Sequence, residues 1–173
     1  MSRLLFLLLL LISVNSFAQI KNNGFKNYNW GQDKSTISTL KNCSQKLTGA
    51  GFENCEIIFK DSLFYKDIKY KFISVRFFQN KLTELQLDIN HSDLSNLVAE
   101  LSKEFGNPII KEKKIASIDG DEPTIGYVWN IGDTHLLIIN DGKASPAIII
   151  LSSKKLKSQY PANNLSLEKL IFE

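Results

Sequence analysis

Histidine occurs twice in this chain of 173 residues, and cysteine twice. Two cysteines alone cannot form a structural zinc site, and no run of cysteine and histidine has zinc-finger spacing. A glycine-rich phosphate loop is also missing. The acidic run Asp119-Gly120-Asp121-Glu122 lacks the remaining oxygens of an EF-hand and reads as a solvated turn before Pro123. Neither histidine, His91 or His135, stands in a recognisable nucleophile context, and a Ser-His-Asp set can be picked from distant parts of any chain. Glu84 and Asp88 share one strand face, but among polar partners typical of a wet surface rather than a glycosidase cleft. The chain is therefore read as non-catalytic, with no cofactor and no metal. A strong charge excess is absent too: the formal net charge is +3, with the signs interspersed. Nothing resembles a nucleic-acid module.

Long apolar runs are also scarce. The longest, residues 4–12, covers about half of the ~20 residues a membrane-spanning helix needs. It follows Arg3 and precedes Ser16-Phe17-Ala18, which puts small residues at the two positions a signal peptidase reads. Residues 1–18 are thus expected to be a signal peptide, leaving no transmembrane segment in the mature chain. Export to the periplasm or the extracellular space follows. No cysteine lies just after the cut, so no diacyl anchor is expected. Cleavage removes Arg3 and lowers the net charge to +2. In an oxidising compartment Cys43 and Cys55 are a disulfide candidate; two buried free thiols are the alternative. Lys111, Lys113 and Lys114 form one small basic cluster, and Lys154, Lys155 and Lys157 another. Both read as solvated strand ends or, more sharply, as contacts for anionic lipid or polymer.

Residues 19–29 are polar and Asn-rich, suggesting a flexible N-terminal segment. Asp33 reads as a helix N-cap, with Ile37, Leu40, Ser44 and Leu47 forming a narrow stripe up to Gly49. Strands are expected at 52–59, 70–78 and 82–89, with a short stretch at 63–65. The hairpin 70–78/82–89 separates its faces best with a three-residue loop at Gln79, Asn80 and Lys81. Val75 then faces Leu85, Ile73 faces Leu87, Phe77 faces Thr83 and Arg76 faces Glu84. Ser92 or Asn90 caps a second helix, whose stripe is Leu94, Leu97, Val98, Leu101 and Phe105. Gly106 and Pro108 end it. Strands follow at 109–118, 125–131, 134–140 and 147–152. The unbroken apolar run 148–151 predicts a strand covered on both faces, central in its sheet. Residues 154–173 form a tail, with a short docked helix over 165–172.

The order predicts an α+β protein of two consecutive α-β-β-β units, 30–89 and 90–153, forming one antiparallel sheet with helices on one face. Trp30-Gly31 before the first helix, Lys81-Leu82 at the hairpin exit, Phe105-Gly106-Asn107-Pro108 closing the second helix, and Trp129 on a later strand carry a resemblance. Together they resemble small secreted bacterial proteins of unassigned function. The helix-then-sheet repeat is similar to the β-lactamase inhibitor protein fold and to the small lipoprotein of the outer-membrane barrel assembly machine, although the lipoprotein's anchoring cysteine is missing. The resemblance implies binding of a protein or an envelope component. The candidate partner face is the aromatic side of the hairpin, Tyr70, Phe72, Arg76, Phe78 and Leu82, because aromatics and arginine dominate binding hot spots. The leading expectation is an exported binding module; an envelope-assembly or structural factor, or a small hydrolase, are the alternatives.

Overall fold

The computed structural model describes residues 20–44, 51–58, 63–114, 123–142, 146–161 and 171–172. The signal-peptide run, Leu47, Gly49 and the acidic turn at 119–122 lie outside the described residues. Three two-residue strands, β1 (Ile20–Lys21), β2 (Gly24–Phe25) and β3 (Tyr28–Asn29), make a small antiparallel sheet. Nine strands make the large one: β4 (Leu40–Ser44), β5 (Phe52–Ile57), β6 (Leu63–Tyr65), β7 (Ile68–Phe78), β8 (Lys81–Ile89), β9 (Ile109–Lys114), β10 (Pro123–Ile131), β11 (Thr134–Asn140) and β12 (Ala147–Ser153). Its order is β4-β5-β7-β8-β12-β11-β10-β9, with β6 beside β7. Two meanders thus meet at their final strands, β8 and β12. Helix α1 (Leu94–Phe105) connects them in sequence, and a short helix α2 (Lys154–Lys157) follows β12.

This overturns the expected α+β pair of α-β-β-β units: the protein is mostly β, and the first helix does not form. Asp33 does cap a turn, its carboxylate accepting from the Ser35 N–H at 3.1 Å and from the Ser35 hydroxyl at 2.8 Å. The turn is a single 3₁₀ turn, Lys34–Thr36, and Ile37 is already extended at φ −105°, ψ 95°. Thr36, Ile37 and Thr39 are β-branched and resist helix. The backbone instead runs along the hairpin tip, where Gly31 donates to the Leu82 carbonyl at 2.8 Å and Leu82 donates to Gln32 at 2.9 Å. The disulfide therefore joins strand to strand, Cys43 on β4 to Cys55 on β5, with Cα atoms 4.0 Å apart. It fits an oxidising environment.

The Asp33 carboxyl is held down at about 2, first by the Ser35 hydroxyl, then by the Ser35 amide and by Lys81, whose ammonium lies 3.1 Å away. A carboxyl depressed in the folded state adds stability above its unfolded pKa near 4, and that stability drains as pH falls toward 2. Wild type should therefore lose thermal stability between about pH 4 and pH 2. Asp33→Asn should show a shallower acid limb in the same melts. A variant curve parallel to wild type over that interval would refute the assignment.

The main core lies on one sheet face. Ile73, Val75 and Phe77 alternate inward on β7, opposite Leu87, Leu85 and Leu82 on β8. Leu94, Leu97 and Leu101 of α1 cover them. The α1 N-cap is Asp93, not Ser92 or Asn90, and it makes no side-chain cap bond. Gly106, at φ +82°, ends the helix with its amide on the Ser102 carbonyl at 3.0 Å. Trp129 fastens this end to β10 by donating its indole N–H to the Gly106 carbonyl at 2.7 Å.

The Asn-rich stretch is docked, not loose: Ile20 and Phe25 are buried in the main core. Thr134 organises the joint. Its hydroxyl accepts from Trp30 Nε1 at 2.9 Å and from the Gly24 amide at 3.2 Å, and donates to the Lys21 carbonyl.

The opposite face carries a second cluster, Val128, Leu137, Ile139 and Ile150, covered in part by Ile171 and Phe172. A Cβ at Gly126 would lie 2.6 Å from the Phe172 ring, so the glycine provides the notch that seats it. The run 148–151 is central as expected: β12 lies between β8 and β11, with Ile149 and Leu151 in the main core and Ile150 in the outer cluster.

Candidate functional site

The hairpin tip decides the fate of the expected partner face. In the hairpin body the register is Val75 to Leu85, Ile73 to Leu87 and Arg76 to Glu84. Between Arg76 and Phe77 it shifts, so Phe77 pairs with Leu82 and Phe78 with Lys81. The loop is two residues, Gln79 (φ 50°) and Asn80 (φ 64°), the positive pair a type I′ turn requires. Thr83 is the bulged residue, and its hydroxyl donates to the Arg76 carbonyl at 3.1 Å. The bulge turns Leu82 into the main core, where it is fully buried. Leu82 is thus removed from the candidate face.

Three other members are occupied internally. The Phe78 ring packs at a tilt against Phe52, centroids 4.7 Å apart, and meets Tyr160 edge-on at 5.3 Å. Arg76 lies 3.6 Å from the Glu84 carboxylate, donates to Asn54 at 3.2 Å and sits over the Phe52 ring. Tyr160 closes this box from the tail, and burial pushes its hydroxyl pKa up. Tyr70 packs against the main core, with the Lys26 ammonium 5.6 Å from its ring centroid. Phe72 alone of the five is open to solvent, 44% exposed. It pairs with Asp88, whose carboxyl pKa is raised by burial against the opposing pull of Lys71.

The outer face also carries a polar row across five strands: Arg76, Glu84, Ser152, His135 and Asn130 occupy successive opposed positions. His135 Nδ1 lies 3.2 Å from Asn130 Oδ1. Serine, imidazole and amide are the residue types of a nucleophile, a base and its orienting group. Ser152, however, is wholly shielded from solvent, so in this conformation a substrate has no access to its hydroxyl. His91 is elsewhere, in the 3₁₀ turn His91–Asp93 before α1.

Cys43, Glu53 and Cys55 bring ligand-type atoms within 4.8 Å of one another. Their two sulfurs are bonded to each other and offer no thiolate, and Glu53 is paired with Lys34 at 2.6 Å.

Strand β9 stands out at the sheet edge. It pairs with β10, and among the described residues no strand lies on its other side. Ile109 and Ile110 are 60% and 64% exposed, one on each face of the strand. Beyond them come Lys111, Glu112, Lys113 and Lys114, so the basic cluster is a strand edge. Sequence reasoning placed the strand but missed its position. The signal was available: a short strand dense in lysine is a usual edge guard. The second basic cluster lies on α2, where the Asp133 carboxylate accepts from the Lys155 amide at 2.8 Å.

Among the described residues, the fold and this edge define a mostly antiparallel β protein with one covered face, one half-covered face and a terminal strand with no strand on its outer side. No protein-family model, curated protein or solved structure matches the chain. Among the described residues no helix is long and apolar enough to cross a membrane.

Proposed function

We propose that this chain is an exported, non-catalytic binding module that engages a partner polypeptide along the open edge of β9. One observation carries the reading: two adjacent isoleucines, both more than half exposed, sit on a terminal strand. A terminal strand presents backbone N–H and C=O groups to an incoming strand, and side-chain pockets on either face add selectivity. Export to the periplasm or the extracellular space rests on the leader-like residues 1–18 and agrees with the Cys43–Cys55 disulfide.

Photo-crosslinking in the native cell envelope tests the proposal. A photoreactive side chain at Ile110 should give one discrete adduct. The same group at Phe72, or at Lys103 on α1, should give none. An adduct from Phe72 with silence at Ile110 would move the site to the outer sheet face and defeat the edge reading.

A further inference from the structure

We propose that Cys43, Cys55 and Glu53 form a redox-gated zinc site, independent of the β9 edge: closed while the disulfide stands, and open to the ion once a protein dithiol has reduced it. The two sulfurs and a Glu53 carboxylate oxygen lie within 4.8 Å of one another. The sheet gathers them. Cys43 and Cys55 meet across the β4–β5 ladder, with Cα atoms 4.0 Å apart. Glu53 stands two residues before Cys55 on β5, so both project from the same strand face. A zinc ion about 2.3 Å from sulfur and about 2.1 Å from oxygen spaces its tetrahedral ligand atoms roughly 3.5–3.8 Å apart. The carboxylate therefore has to move in by no more than about 1 Å, while the parted sulfurs move outward to that spacing. Lys34 donates to Oε1 of Glu53 at 2.6 Å, and a carboxylate has a second oxygen to offer a cation. Three protein ligands leave the fourth position to water, the make-up of an open zinc site rather than a structural one.

The position of the bridge sets how it opens. Cys43 is exposed on β4, which ends the sheet order among the described residues, whereas Cys55 is buried. An incoming thiolate therefore attacks the Cys43 sulfur, and the S–S bond breaks with Cys55 leaving as thiolate. The second thiol of the dithiol then displaces Cys43 from the mixed disulfide. The reductant ends as a disulfide, and the chain has gained two electrons and two protons. Zinc displaces those protons and binds the two thiolates. Reoxidation by a protein disulfide joins the sulfurs again and releases the ion. Strand β5 keeps its pairing with β7 from Phe52 to Glu56 in either state, so opening the bridge leaves Cys55 and Glu53 in place.

The test is calorimetry with zinc ion alone on the mature protein, once disulfide-bonded and once reduced by a phosphine that is then removed without air. The reduced protein should bind about one zinc per chain, and the bonded protein should bind about a hundredfold more weakly or not at all. Cobalt in place of zinc should give thiolate-to-metal charge-transfer absorption in the reduced protein only. Glu53→Gln keeps the shape of the side chain and removes its charge. It should weaken zinc about tenfold or more while the circular dichroism of both redox forms stays that of wild type. In native buffer a small dithiol should release two titratable thiols per chain. Equal zinc affinity in the two redox states would assign the ion to other surface groups and overturn the proposal. Wild-type affinity in Glu53→Gln would overturn the three-ligand site. Thiols that appear only in denaturant, or loss of the strand spectrum on reduction, would overturn the gating.

Discussion

Thr134→Val should destabilise the protein by about 4 kcal/mol, because each buried polar group left unsatisfied costs roughly 1–3 kcal/mol. Valine keeps the volume of threonine but takes away the hydroxyl on which Trp30 Nε1, the Gly24 amide and the Lys21 carbonyl converge. Thr134 is fully buried, and Trp30 and Gly24 are buried beside it, so water offers poor replacement. For a chain of this size the midpoint of thermal unfolding should fall by roughly 10 °C. Thr134→Ser retains the hydroxyl and should lose about 1 kcal/mol, the value of one buried methyl. The valine variant should also become sensitive to proteases between residues 20 and 31 before the rest unfolds. Equal melting of the valine and serine variants would show that the hydroxyl does not hold the N-terminal sheet in place.

Removing the disulfide with Cys43→Ser and Cys55→Ala should cost about 3 kcal/mol, the chain-entropy value for closing so short a loop. The bridged residues are 12 apart in sequence and tie β4, the far edge of the sheet, to β5. Urea unfolding measures the effect. The midpoint should fall, and the slope should rise slightly as the unfolded chain expands. Reductant should bring wild type to the midpoint of the double variant and leave the variant itself unchanged. Two titratable thiols in denatured, unreduced wild type would end the disulfide assignment outright.

The elements legible in the sequence are those where two independent patterns agree. The β7/β8 body was readable because Ile73 and Val75 on one face and Arg76 with Glu84 on the other demand the same register. Helix α1 was readable because its stripe and its Gly106 stop coincide. The residues 33–44 misled, because a genuine cap at Asp33 precedes a three-four-three spacing that a strand can also carry. There the sheet partner β5 and the Cys43–Cys55 bond outweigh local pattern, and the positive φ of Asn42 (49°) accommodates the irregular pairing. The facing of Leu82 was misread for a smaller reason. One bulged residue, Thr83, reverses the facing of Leu82, and parity arguments do not survive an inserted residue. The covering of Phe78 by Tyr160 is a contact across 82 positions of chain that no local pattern encodes. Both motif tryptophans turned out to be fasteners: Trp30 ties the N-terminal sheet to β11, and Trp129 ties the end of α1 to β10.

The place of β12 has a kinetic consequence. Among the described residues β12 is the last long strand in chain order, and it is wedged between β8 and β11, so the two halves of the sheet stay apart until β12 has been made. Neighbours so distant along the chain raise the contact order, which slows folding. Meanwhile Leu85 and Leu87 on one nascent rim and Leu136 and Ile138 on the other lie bare beside unmatched backbone amides. Such intermediates are prone to aggregate and invite a holding chaperone. A late keystone of this kind is compatible with the export proposed above, because closure before passage would block a chain that crosses a membrane unfolded.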